Sequence, residues 1–165
     1  SLKEMEKEII LVTGDNEQSS IELSKKLGID KVYFEQLPED KVNLVKKLQA
    51  EGKTVMMVGD GMNDAPALAV SDVGVAIGTG SDIAIESSDV TLVQGDLERL
   101  IKAIRLSEKT LVNIKQNFLW AFLYNMMMIP LAMVGILVPW LASATMALSS
   151  LTVVLNSLRL RKVNI

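Results

Sequence analysis

The chain has 165 residues, a formal net charge of −3 and a hydrophobic fraction of 49%, enough for one domain of about 100–150 residues and a further short segment. It contains no cysteine and no histidine, which excludes disulfides, thiolate ligands and imidazole bases within these residues. No run of Lys and Arg resembles a nucleic-acid-binding patch, so we expect no nucleic-acid partner. No charged residue occurs between Lys115 and Arg159. The composition therefore divides the chain near residue 115.

The charged part predicts strands that alternate with helices. Short apolar runs predict strands at 8–12, 31–35, 54–58, 73–77 and 89–93. Helical spacing and end signals predict helices at 19–27, from Pro38 to about 52, and around 81–86. Such alternation indicates right-handed crossovers and a parallel sheet. Because ligands of these sheets bind at the carboxyl ends of the strands, we expect the polar loops at 13–15 and 59–64 to share one rim.

Asp60 and Asp64 lie in a glycine-containing loop that can bend so that both carboxylates face one point. Hard oxygen ligands at close range suit Mg²⁺, which keeps several waters and bridges to substrate phosphate. For Gly59 to Gly61 alone, an ordinary turn in which Asp60 caps its own backbone is the commoner explanation. The ten residues from Gly59 to Leu68 together favour the metal-binding interpretation.

Two further residues are candidates for contact with phosphate. Thr13 offers a hydroxyl and neighbouring backbone amides, although a turn residue at a strand end explains it equally well. Lys41 lies in the first turn of a predicted helix, where the helix dipole slightly disfavours a cation. A solvated surface lysine is the ordinary explanation, and the functional one is that Lys41 neutralises charge developing on a transferred phosphoryl group.

Three strings, Thr13 to Asp15, Pro38 to Lys41 and Gly59 to Leu68, closely resemble the motifs of the phosphorylation domain of P-type ATPases, a branch of the haloacid dehalogenase-like fold. The resemblance covers essentially the whole chain. It implies that Asp60 holds Mg²⁺, that Lys41 contacts the phosphoryl group and that Thr13 binds it through its hydroxyl. It further implies catalytic ordering roles for Asp15, Asn63 and Asp64, and cofactor contacts at Gly14, Gly59 and Gly61.

One part of the family pattern is absent. The family's nucleophile is the Asp of an Asp-Lys-Thr-Gly-Thr motif, which does not occur here, and the nucleotide-binding domain that follows that motif in the family is missing too. Without that Asp no aspartyl phosphate forms. We therefore expect a C-terminal fragment that is inactive alone, with ATP bound only through the rest of the pump polypeptide.

The uncharged stretch at 116–158 would form a single helix about 65 Å long, about twice the hydrocarbon core of a bilayer. Two spans of about 20 residues fit instead, with a break at 138–140, where Pro disfavours a continuous helix. A buried hairpin in a soluble protein is the alternative, but uncharged stretches this long are typical of lipid contact. The predicted domains are 1–95 for the partial phosphorylation domain, 96–115 for a connecting helix and 116–165 for a transmembrane hairpin with its tail.

Basic residues flank both ends of this stretch, and the positive-inside rule gives its orientation. Four precede it and three follow it: Lys102, Arg105, Lys109 and Lys115, then Arg159, Arg161 and Lys162. We predict a multi-pass protein of the plasma or inner membrane, in which the soluble part and both ends of the hairpin are cytoplasmic.

Polar residues of both predicted spans reach the middle of the bilayer, where they need partners. Tyr124 and Asn125 lie on the first span; Met146 and Ser149 share one face of the second, and thioether sulfur is a soft donor suited to Cu(I). These positions resemble the signatures of the copper/silver subgroup of heavy-metal P-type ATPases. The resemblance implies Cu⁺ as transported ion, with Tyr124, Asn125, Met146 and Ser149 along its path, and it leaves open whether Ag⁺ is carried as well. Four other methionines are predicted to be packing residues: Met126, Met127, Met128 and Met133.

The function predicted is that of a segment of an ATP-driven copper(I)-exporting pump with a lipid bilayer and a metal ion as partners. One alternative is a truncated, non-catalytic module that is anchored in the membrane and binds Mg²⁺ or phosphate. A membrane-tethered phosphatase of the same fold is less favoured, because it needs a nucleophilic Asp after a first strand and none is visible.

Overall fold

The computed structural model describes residues 1–78, 82–93, 97–135 and 138–162. The chain divides into two units, Ser1–Ile101 and Lys102–Ile165. Strands and helices alternate through the first unit in this order: β1 (Ile10–Val12), α1 (Glu17–Leu27), β2 (Lys31–Tyr33), α2 (Pro38–Ala50), β3 (Met56–Gly59), α3 (Ala65–Val70), β4 (Val73–Ile77), α4 (Asp82–Glu86) and β5 (Val90–Leu92).

Every strand pair among these residues is parallel, which confirms the predicted α/β architecture. The strands nevertheless lie in two sheets, β1 with β2 and β3 with β4 and β5, where we expected one. Leu11 pairs with Val32 in the first sheet, and Val58 pairs with Val75 in the second. In the described residues β1 and β3 each pair on one side only, and each leads into one of the predicted polar loops.

The helices start and end close to their predicted bounds. α1 begins two residues earlier than predicted, because Asn16 Oδ1 accepts a hydrogen bond from Ser19 N at 3.0 Å and caps the helix. α2 begins at Pro38 as predicted. It buries Leu44 and Val45, whereas Val42 and Leu48 are only half-buried. The helix predicted around 81–86 is α4, and residue 81 lies outside the described part.

The core of the first unit lies where α3 packs on β4. Ala67 and Leu68 of α3 and Val75 and Ala76 of β4 are all buried. A Cβ atom added to Gly74 would lie 2.7 Å from the backbone oxygen of Leu68. The helix therefore approaches the strand closely because residue 74 has no side chain.

Replacing Gly74 by alanine is expected to destabilise the first unit by about 1–3 kcal/mol, because the new methyl group would overlap backbone atoms that cannot move aside. Hydrogen exchange of the β4 amides in the detergent-purified chain would measure the loss of protection. The matched control is Gly61→Ala, since the nearest atom to its added Cβ is 3.9 Å away. Equal β4 protection in wild type and Gly74→Ala would contradict this account.

An ion cluster joins the start of β1 to two other segments of the first unit. Glu8 pairs with Lys31 of β2, and its other oxygen accepts a hydrogen bond from Lys53 Nζ at 2.9 Å. The hydrogen bonds from Lys31 and then Lys53 lower the pKa of Glu8 to about 2, from an ordinary value of 4.5. The carboxylate therefore stays charged in the folded chain at pH values where it would be protonated in the unfolded chain.

Because the folded pKa of Glu8 is depressed, its stabilisation is present above its unfolded pKa and is lost as the pH falls through the folded pKa. Glu8→Gln is expected to be less stable than wild type near pH 7, and this gap should close between about pH 5 and about pH 2. Thermal unfolding of both chains across that range measures the gap. Glu22→Gln, at an exposed pair with Lys26, is the control. A gap independent of pH would refute the assigned cause.

Two long helices follow the first unit's last strand, α5 (Leu97–Met133) and α6 (Pro139–Arg159), with a short 3₁₀ helix at Leu160–Lys162. The helix predicted at 96–115 and the first predicted span are one continuous helix in the described residues from 97 onward, and Pro130 lies within it. The predicted break falls just before α6, which has Pro139 at its first position. Two spans were predicted, but among the described helices one segment, Trp140–Arg159, is long and apolar enough to cross a membrane.

Candidate functional site

The loop after β1 is held by its own side chains. Thr13 Oγ1 donates a hydrogen bond to Asp15 Oδ2 at 2.9 Å and accepts one from Asp15 N at 3.1 Å. The backbone oxygen of Asp15 accepts a hydrogen bond from Glu35 N at 2.9 Å, and Glu35 has a positive φ of 53°. Glu35 was not predicted from the sequence, because a positive φ occurs most often at glycine or asparagine and is uncommon for glutamate. The Asp15 carboxylate thus orients the Thr13 hydroxyl at the strand end.

The loop after β3 brings Asp64 back against the strand. A Cβ atom on Gly59 would lie 2.6 Å from Asp64 Cβ, so only glycine at position 59 allows this approach. Asp64 N donates a hydrogen bond to Gly61 O at 3.1 Å and closes the turn. Asp60 and Asn63 are both exposed. The loop therefore presents Asp60 and Asn63 to solvent and keeps Asp64 inside.

Lys41 and Asp64 form an ion pair between α2 and the start of α3. Lys41 Nζ donates a hydrogen bond to Asp64 Oδ1 at 2.7 Å, and the two side chains are only 11% and 15% exposed. Asp64 is the N-cap residue of α3 but caps no backbone N–H, because its carboxylate faces Lys41 instead. Lys41 is therefore not a solvated surface lysine. Asp40, beside it, accepts a hydrogen bond from Leu37 N at 3.0 Å and caps α2.

Contacts along α2 connect the two polar loops. Gln36 N, two residues before α2, donates a hydrogen bond to Thr13 O at 3.0 Å. In the first turn of the same helix, Lys41 reaches Asp64. The three sequence strings singled out above thus meet around the N-terminus of α2, as the predicted common rim requires.

The carboxylate oxygens of this rim suit Mg²⁺ better than they suit a metal ion whose ligands must all be protein side chains. The described residues contain no group of three or more Asp, Glu, His or Cys side chains that could enclose an ion. In that same part of the chain the Asp60 carboxylate is exposed and has no hydrogen-bond or ion-pair partner. Mg²⁺ is commonly held by one or two carboxylates, with waters and substrate phosphate completing its shell. The donor set present here fits that pattern.

In the second unit, a cavity of about 310 Å³ opens between α5 and α6. Its walls contain the four residues predicted along the ion path, together with four others: Tyr124, Asn125, Met146 and Ser149, with Met128, Ala142, Thr145 and Ser150. The two helices thus bring the predicted residues of both spans to one cavity.

Three residues at or near this cavity were not among the predicted site residues: Met128, Thr145 and Thr152. Met128, predicted to be a packing residue, lies on the cavity wall with Thr145. Met128 is four residues after Tyr124 and so lies on the same face of the helix. This spacing could have identified Met128 from the sequence. Thr152 Oγ1 lies 3.3 Å from the Tyr124 hydroxyl and donates a hydrogen bond to Leu148 O at 2.8 Å. Asn125 donates a hydrogen bond to Ala121 O of its own helix at 2.9 Å.

The parallel strands and the polar loops at their carboxyl ends make the first unit similar to the haloacid dehalogenase-like class. The family model described as "haloacid dehalogenase-like hydrolase" matches residues 1–72. Over 162 residues the chain is 52% identical to a copper-exporting P-type ATPase of Bacillus subtilis, covering 98% of this chain and 20% of that protein. Over 164 residues it is 51% identical to a copper-exporting P-type ATPase of Staphylococcus aureus (strain Newman), covering 99% and 20%.

Solved structures show a similar likeness. A zinc-transporting PIB-type ATPase in its E2·Pi state matches with a TM-score of 0.85 and 35% identity, covering 92% of this chain and 25% of that one. The catalytic domain of the CPx-ATPase CopB-B matches with a TM-score of 0.60 and 46% identity, covering 62% and 41%. The chain is thus similar to PIB-type P-type ATPases, and it spans about a fifth of the length of the curated relatives it matches.

Proposed function

We propose that this chain provides the magnesium and phosphate loops, and part of the ion path, of an ATP-driven pump that exports copper(I). The observation that carries the proposal is the cavity between α5 and α6, which is lined by residues with hydroxyl, amide and thioether side chains from the two helices. Soft thioether ligands suit Cu(I), whereas Zn²⁺ is bound in proteins by thiolates, imidazoles and carboxylates. The names of the two curated relatives agree with copper as the transported ion.

At the rim, the residues of the chain bind and orient phosphate. Thr13 would donate its hydroxyl proton to a phosphoryl oxygen, in place of the hydrogen bond that it donates to Asp15 Oδ2. Lys41 would neutralise charge on the phosphoryl oxygens, with Asp64 fixing the position of its ammonium group. Asp60 would hold Mg²⁺ with waters, and the ion would supply positive charge to the phosphate in the reaction. Gly14 and Gly61 would leave room for the ligand near the backbone, Gly59 leaves room for the Asp64 side chain, and Asn63 faces the same solvent as Asp60.

In the membrane, the two helices would form a hairpin with both ends in the cytoplasm. Large apolar side chains on both helices are exposed, including Phe118, Phe122, Trp140 and Leu151, and lipid or further helices of the pump would cover them. The basic residues at both ends of the pair agree with this orientation. ATP binding and the phosphorylated Asp would come from the rest of the pump polypeptide. Ag⁺ would share the path, since it is also a soft cation.

A chimera tests the proposal. Residues 1–165 replace the matching segment of the Bacillus subtilis relative, and copper uptake into inside-out membrane vesicles is measured with ATP and Mg²⁺. The wild-type chimera is expected to transport Cu⁺. Met146→Leu is expected to lose most of that transport, because leucine has nearly the size of methionine but lacks the thioether sulfur. Met126→Leu, the same change at an exposed position outside the cavity lining, is the matched control. Stimulation by Zn²⁺ in place of Cu⁺ would overturn the assigned ion.

A further inference from the structure

A cluster of polar side chains joins α5 to α6 near the ends where the basic residues lie. We call it the amide cluster and define it as Asn113, Gln116 and Asn117 of α5 with Asn156 and Ser157 of α6. Asn113 and Asn156 are only 7% and 9% exposed. These are the least exposed polar side chains that the structure describes in the second unit, where most side chains are exposed.

The hydrogen bonds of the amide cluster cross between the helices repeatedly. Asn113 Nδ2 donates to Asn156 O at 2.8 Å, and Asn156 Nδ2 donates to Asn117 Oδ1 at 2.9 Å and to Gln116 Oε1 at 3.3 Å. Asn117 Nδ2 donates in turn to Ser157 Oγ at 2.9 Å and to Asn113 Oδ1 at 3.1 Å. Four of these five hydrogen bonds join the two helices, and the one from Asn117 Nδ2 to Asn113 Oδ1 lies within α5.

All of these hydrogen bonds between the helices can form together only when α5 and α6 keep one register. Sliding α6 by one residue moves Asn156 by about 1.5 Å and turns it by about 100°, away from its partners. In a shifted register the buried amides would lose their hydrogen-bond partners, which costs free energy. Apolar side chains at the same positions would have no such directional requirement. A single buried asparagine sets the register of helix pairs in coiled coils for this reason.

The register set by the amide cluster extends to the cavity. Tyr124 lies seven residues after Asn117 on α5, and Ser149 lies seven residues before Asn156 on α6. Seven residues are nearly two helical turns, about 10 Å, and keep a side chain on almost the same face. The pairing of Asn117 with Asn156 therefore brings Tyr124 and Ser149 to one level of the cavity, and the contact of Tyr124 with Thr152 lies one turn from that level.

We propose that the amide cluster is a register clamp that positions Tyr124 and Asn125 opposite Met146 and Ser149, and so sets the affinity of the cavity for a soft monovalent cation. The proposal rests on the proposed function of the cavity. Asn113, Asn117 and Asn156 are positioning residues, because they hold the two helices in register and do not line this cavity.

The test uses the chimera described above and compares Asn117→Leu, Asn156→Leu and the double variant. Transport is measured against free Cu⁺ concentration, and each rate is normalised to the amount of protein in the membrane. Each single variant is expected to raise the KM for Cu⁺ about tenfold, with a smaller change in the maximal rate. The double variant is expected to match the single variants, because both changes break one network. Thr110→Val, which removes a hydroxyl bonded only within α5, is expected to leave the KM unchanged.

A loss of maximal rate with an unchanged KM would overturn the clamp, since it would indicate a purely structural role. So would KM effects that multiply in the double variant. Should the leucine variants fail to reach the membrane, Ser157→Ala removes one acceptor of the network and is expected to raise the KM about twofold to threefold. An unchanged KM in that variant would also refute the clamp. If the wild-type chimera transports no Cu⁺, the proposed function fails instead, and the two failures are distinguishable.

Discussion

Replacing Lys41 by methionine in the chimera is expected to lower copper-stimulated ATP hydrolysis by about 10²–10³-fold. Methionine keeps much of the side chain's length and removes the ammonium group that faces the phosphate loops. The loss also leaves the Asp64 carboxylate, 15% exposed, without its partner, and unpairing one member of a buried ion pair costs about 3 kcal/mol. Both activity and thermal stability are therefore expected to fall.

Two variants separate these effects. Lys46→Met makes the same change at an exposed position of α2 and is expected to leave activity and stability close to wild type. The double variant Lys41→Met with Asp64→Leu removes both charges, and it should recover stability without recovering activity. Recovery of ATP hydrolysis in the double variant would show that Lys41 acts only through folding, and the proposed contact with phosphate would be wrong.

In the chimera, Asp60→Asn is expected to abolish formation of the phosphorylated pump at physiological Mg²⁺ while the fold stays intact. The Asp60 carboxylate is exposed and has no partner among the described residues, so its loss should cost little stability. An amide is a weaker and uncharged ligand for a hard cation. Phosphorylation by radiolabelled ATP, titrated with Mg²⁺, measures the effect, and thermal unfolding checks the fold.

The matched control for this experiment is Asp30→Asn, which neutralises an exposed aspartate paired with Lys3 at 3.7 Å. It is expected to leave the Mg²⁺ dependence unchanged. Wild-type phosphorylation and an unshifted Mg²⁺ titration in Asp60→Asn would exclude Asp60 as a magnesium ligand. A partial return of phosphorylation at high Mg²⁺ would support the assignment, since a weakened site fills at higher ion concentration.

Much of the architecture follows from short-range patterns in the sequence. Apolar runs that end in glycine and aspartate located β1 and β3, and Pro38 marked the start of α2. The uncharged stretch after Lys115 indicated the helix pair and its break before Pro139. These features depend on neighbours within a few residues, so a single sequence is sufficient to predict them.

The candidate residues were also predictable, but their surroundings were not. The strings at 13–15, 38–41 and 59–68 stand out in the sequence, yet nothing local shows that Lys41 is buried against Asp64. The two residues are 23 positions apart, and their contact depends on how α2 packs beside α3. The splitting of the strands into two sheets likewise depends on long-range pairing that no local pattern reports.

By itself, the sequence determined the order of strands and helices, the chemical character of the rim and the apolar nature of the helix pair. Those properties arise from side-chain periodicity, turn chemistry and charge, which act locally. Tertiary structure alone decided the burial of Lys41, the place of Met128 on the cavity wall and the network from Asn113 to Asn156. Each of these features depends on contact between two segments that are far apart in the sequence. That contact is stabilised by the packing of many side chains, which no local pattern reports.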